Sequence, residues 1–167
     1  HCRIIEAPAI VFDDQKEVLA AFERGELERD FVCVVRFQGP RANGMPELHK
    51  PTPPLAILQD RGFQVALVTD GRMSGASGKV PAAIHMSPET LLGGGIGKIR
   101  TGDIILFNSL TGELTALVDE AEWNRRETAT ADLSGNLHGI GRELFAGFRA
   151  QTSSAETGAM SFGGDFV

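Results

Sequence analysis

The stretch VTDGRMSGASG, residues 68–78, sets two serines and an arginine among Gly71, Gly75 and Gly78, directly behind an apolar run. A serine displayed on such a loop invites a catalytic or phosphate-binding reading, but two familiar versions do not match. A hydrolase nucleophile elbow needs glycine two residues either side of the serine, and Ser74 has Arg72 and Ala76 there. A P-loop needs an earlier glycine and a closing hydroxyl, and neither Gly78-Lys79 nor Gly97-Lys98 has them. What remains for Ser74 is a glycine nest whose amides point inward at an anion, or a plain turn, which uses the same residue types.

A second loop carries GMPELHK, residues 44–50. Glu47, held between Pro46 and Pro51, is either a hard oxygen ligand for Mg²⁺ or a solvated carboxylate. His49 and His85 have the same two readings, as acid–base groups or as hydrogen-bonded structural residues. Arg41 and Lys79 either hold an anion or are exposed charges. Cys33, inside the apolar FVCVV, reads as a buried core thiol, and Cys2 and Cys33 are too few for a zinc or iron–sulfur framework.

The elements that must position these loops are legible in outline. Residues 3–12 read as a strand, made an edge or bent one by Pro8. A helix follows, capped by Asp13 or Asp14 and stopped by Gly25. Residues 31–37 and 63–69 are apolar enough for strands covered on both faces, with a short helix over 53–60 closed by Gly62 between them. This is a parallel crossover, so both candidate loops leave the carboxyl ends of strands and share one edge. Ser87 is expected to cap a short helix, residues 97–118 to form two or three antiparallel strands, and 119–126 to form a polar helix. The spacing of Ile140, Leu144, Phe145 and Phe148 predicts an amphipathic helix over 137–150.

The 167 residues suit a single domain. A balance of 16 basic and 22 acidic side chains, with no basic block, argues against nucleic acid as a partner. No apolar run approaches the roughly 20 residues that cross a bilayer, so the expected location is the cytoplasm. The start at His1, without a methionine, suggests a piece of something longer.

The string GPRANGMPELHKPTPPLAILQDRGFQVALVTDGRMSGASGKVPAAIHMSPE, continued by GKIRTGDII and NLHGIGRELF, resembles the C-terminal domain of the dihydroxy-acid and sugar-acid dehydratase family. DGRMSGASGKVPAAIH is most similar to the branch acting on a phosphorylated sugar acid. The resemblance implies an α/β fold, a swivelling β/β/α domain with a mixed, barrel-like sheet flanked by helices. It implies a hydro-lyase in which Ser74, as an alkoxide, removes the C2 proton of a 2,3-dihydroxy acid. Glu47 would ligate Mg²⁺, while Arg72, Ser77 and Lys79 would orient the substrate, Lys79 meeting its phosphate. An iron–sulfur cluster, of 4Fe–4S type, would act on the departing hydroxyl from an N-terminal domain absent from this sequence, so this chain alone should be inactive. Members of the family are commonly homodimers. Two positions depart from the pattern: Gly94-Gly95-Ile96-Gly97 stands where many relatives read GGPIA, and Ala76 where some carry a second hydroxyl. A dihydroxy-acid or another sugar-acid substrate, a non-catalytic interaction module and a small-anion-binding protein are the competing expectations.

Overall fold

The computed structural model describes residues 3–73 and 78–162. Strand β1 (Ile4–Phe12) runs into helix α1 (Gln15–Glu23). The helix starts where a reciprocal cap fixes it: Asp14 Oδ1 accepts from Lys16 N at 2.7 Å and Glu17 Oε2 from Asp14 N at 3.4 Å. Gly25, at φ 73°, reverses the chain after it. Strand β2 (Phe31–Val35) is buried throughout, as its unbroken apolar run requires. Then come α2 (Pro40–Asn43), β3 (Glu47–Leu48), α3 (Thr52–Asp60), β4 (Val65–Thr69), β5 (Arg72–Met73) and β6 (Ala82–Ala83). The chain ends in a hairpin of β7 (Ile104–Asn108) and β8 (Glu113–Ala116), then α4 (Glu120–Arg125) and α5 (Ala146–Gln151).

The architecture is the expected α/β one, built on a curled, mixed six-stranded sheet in the order β6-β4-β2-β1-β7-β8. Strand alternation divides its core into two layers. Phe31, Cys33 and Val35 of β2, with Val65 and Leu67 of β4, pack under Val18 and Ala21 of α1 and Leu55 and Leu58 of α3. Val32, Val34, Ala66 and Val68 point the other way, onto Ile96, Ile99, Ile105 and the partly buried Trp123. None of the helices among the described residues is long and apolar enough to cross a membrane.

Three expectations are corrected. Strand β1 is not an edge strand: it pairs antiparallel with β7 from Ile4 to Pro8 and parallel with β2 from Ala9 to Phe12. Pro8 is tolerated because its nitrogen faces the β2 side before that ladder begins, so no bond is lost; the next residue, Ala9, donates the opposite way, to Asp103 O at 2.7 Å. Ser87 caps nothing; the turn it precedes is a 3₁₀ segment, Thr90–Leu92, with Glu89 at its cap position. The helix over 137–150 shrinks to α5, because Gly139, Ile140 and Gly141 all take positive φ, at 84°, 55° and 76°. Ile140, Leu144, Phe145 and Phe148 are exposed.

Candidate active site

Strands β2 and β4 are parallel and end in register, Val35 opposite Thr69, so the chains leaving them emerge at one edge of the sheet. The first passes through α2 into β3; the second turns at Asp70-Gly71 into β5. There the two loops join. Strands β3 and β5 pair in parallel, with Glu47 opposite Arg72 and Leu48 opposite Met73, about 5 Å apart. Arg72 Nε reinforces the junction by donating to Met45 O at 3.0 Å, and Leu48 anchors it in the core. Glu47 is half-buried and Arg72 exposed. Ser74 follows Met73 directly in the chain; Ser74 and Ser77 themselves lie outside the described residues.

Two buried carboxylates, unremarked in the sequence reading, hold these loops in place. Asp70 is fully buried, and its Oδ1 accepts from Gln38 N at 2.8 Å while its Oδ2 accepts from Thr90 N at 2.9 Å. Glu89 accepts from Arg41 N at 2.9 Å and Ala42 N at 3.0 Å, capping α2 from a distant part of the chain. Burial, joined by the Asp70 charge, raises the Glu89 carboxyl above its ordinary range despite those two amides. The approach is so close that a Cβ on Gly39 would lie 2.3 Å from Glu89 Oε2. The sequence signal available was an acid directly after a buried strand, in Thr69-Asp70-Gly71.

The other candidates disperse. Lys79 comes three residues before Ala82, which pairs with Leu67 in a strand parallel to β4, so the chain has returned to the opposite edge of the sheet. There its ammonium meets Asp60 Oδ1, at the end of α3, at 2.5 Å. Arg41 Nε donates to Thr152 O at 2.7 Å and ties down the C-terminal segment. His85 is exposed, and its backbone N–H donates to Gly71 O at 2.9 Å; His49 is exposed beyond β3.

Among the described residues no three metal-ligating side chains cluster. Glu47, half-buried at the loop junction, has the hard carboxylate oxygen of the kind from which a Mg²⁺ ion takes one or two protein ligands. An iron–sulfur cluster finds no such fit: Cys33 is fully buried, and burial pushes its thiol well up, away from the thiolate that clusters need. Cys2 lies outside the described residues.

The dihydroxy-acid/6-phosphogluconate dehydratase C-terminal family matches residues 1–159. The chain is 63% identical over 160 residues to a phosphogluconate dehydratase of Pseudomonas aeruginosa, covering 96% of this chain and 26% of that protein. It is 61% identical over 157 residues to the phosphogluconate dehydratase of Escherichia coli K12, covering 94% and 26%. To a dihydroxy-acid dehydratase of Nitratidesulfovibrio vulgaris it is 41% identical over 157 residues, covering 93% and 27%. It spans about a quarter of the length of these curated relatives. The chain belongs to the dihydroxy-acid/6-phosphogluconate dehydratase C-terminal family.

Proposed function

We propose that this chain forms the C-terminal part of a hydro-lyase that dehydrates 6-phospho-D-gluconate to 2-keto-3-deoxy-6-phosphogluconate, the dehydration step of the Entner–Doudoroff pathway. The observation that carries the reading is the β3–β5 pair, which sets Glu47 opposite Arg72 and so brings the Glu47 loop to the residue preceding Met73 and Ser74. The higher identity to phosphogluconate dehydratases, 63% against 41% for the dihydroxy-acid enzyme, favours a phosphorylated sugar acid over a branched-chain dihydroxy acid.

In the proposed reaction Ser74 Oγ, ionised, takes the proton from C2. The electrons of that C–H bond form the C2–C3 double bond, the C3–O bond breaks, and the leaving hydroxide departs as water after gaining a proton. The enol at C2 then becomes the keto acid. A bare serine hydroxyl is too weak a base for this, so its anion needs amide donors and positive charge nearby, which the glycines around Ser74 and the guanidinium of Arg72 suit. A Mg²⁺ ion held in part by Glu47 would supply charge stabilisation at the carboxylate and C2 oxygen. Ser77 completes the proposed set of orienting residues; Lys79, paired with Asp60 at the opposite edge, falls outside it. The rest of the longer protein would hold the remaining Mg²⁺ ligands and the iron–sulfur cluster; a homodimer in the cytoplasm is the proposed setting.

The test is made on the full-length protein. Ser74→Ala should lower kcat on 6-phosphogluconate by about 10²–10⁴-fold with KM nearly kept, as loss of a positioned base does. Glu47→Gln should lower turnover and weaken the response to added Mg²⁺. Full turnover by Ser74→Ala would refute the reading in favour of a non-catalytic module, and turnover by the 167-residue chain alone would refute the shared site.

A further inference from the structure

Beside the Glu47–Arg72 junction, a cavity of about 400 Å³ opens between the end of α2 and the C-terminal segment. Asn43, Gly44 and Met45 form one wall; Arg142, Phe148 and Arg149 form the other. Among the described residues its two cations, Arg142 and Arg149, form no ion pair. Arg149 Nη2 is buried and has no hydrogen-bond partner among the described residues. Arg142 donates only to neutral oxygens: from Nε to Asn136 O at 2.5 Å, and from Nη2 to Asn43 O at 3.2 Å and to Asn43 Oδ1. The nearby acid, Glu143, forms no ion pair with either arginine: it accepts from Gly139 N at 2.8 Å and lies 3.7 Å from His138 Nδ1, and the Gly139 amide, with a smaller contribution from the charge of Arg149, holds its carboxyl below the ordinary range.

A buried guanidinium nitrogen without an acceptor is costly, and a bound ion is one of the things that account for such a group. A planar fork of N–H donors fits the oxygens of a phosphate ester. The position fits as well. Met45, on the cavity wall, is held by Arg72 and stands two residues, about 7 Å of extended chain, from Glu47. The cavity therefore adjoins the Glu47 loop, where the rest of the substrate is proposed to lie.

We propose that Arg149, assisted by Arg142, binds the phosphate ester of the substrate. This rests on the dehydratase reading of Glu47 and Ser74. It moves the phosphate away from Lys79, whose ammonium is engaged with Asp60 at the opposite edge.

The full-length protein is assayed as wild type, Arg149→Met, Arg149→Lys and Lys79→Met, with 6-phosphogluconate and with gluconate. Each form is also melted against inorganic phosphate at constant ionic strength. In Arg149→Met the kcat/KM preference for the phosphorylated acid is expected to fall about tenfold or more, the scale of a charged hydrogen bond. The saturable rise in Tm with phosphate should vanish with it, and Arg149→Lys should restore part of both. Equal losses on the two acids, phosphate protection retained in Arg149→Met, or a preference lost only in Lys79→Met would overturn the proposal. A wild type that dehydrates neither acid, yet gains Tm from phosphate through Arg149, would sink the dehydratase reading while upholding the anion site.

Discussion

Asp70 satisfies two buried amides that belong to different segments, Gln38 on the loop from β2 and Thr90 after β6. An amide side chain cannot do both tasks, since one of its two terminal atoms is a donor. Asp70→Asn should therefore lower unfolding free energy by about 1–3 kcal/mol, read from urea melts, because one buried N–H is left facing another donor. Glu47 and Arg72 were legible as candidates because their motifs are local in sequence. Asp70 and Glu89 were not, because their partners are backbone amides 20 to 48 residues away and carry no residue-type signal.

Elements were legible where their signals lie within a few residues. The Asp14–Glu17 cap and Gly25 fixed α1, and the apolar runs fixed β2 and β4. The expected helix over 137–150 failed because a 3.6-residue period ignores two glycines one residue apart, which turn the backbone left-handed around Ile140. Helix α4 depends on a tertiary bond. Arg126, just past its end, grips Asp103 before β7 in a bidentate pair, Nη1 to Oδ2 at 2.5 Å and Nη2 to Oδ1 at 3.0 Å. Both side chains are nearly buried. Burial works to raise the Asp103 carboxyl, but the hydrogen bonds from Arg126 and the Arg100 amide carry it below its ordinary range. With the folded value below the unfolded one, near 4, the pair contributes fully above that pH and its contribution is lost as pH falls through the folded value. Stability should thus decline below about pH 4. Arg126→Ala, leaving the Asp103 carboxylate only the Arg100 amide, should cost about 1–3 kcal/mol at pH 7 and weaken that part of the acid decline, both read from denaturant melts.

At the scale of the whole molecule, the α/β class and the shared edge of the two loops were readable from the crossover pattern, whereas the place of β1 was not. Nothing near Pro8 announces that β1 changes partners midway, from a strand about a hundred residues away to one about twenty away. That division separates the molecule in time. The parallel half closes short loops and should form early, while joining Ile4 to Asn108 must wait for a far larger loop to close. Pulse-labelled hydrogen exchange should find the amides of β2 and β4 protected before those of β7. Until the hairpin docks, one flank of β1 is a bare edge, and nascent chains crowded on a polysome would stick to one another there.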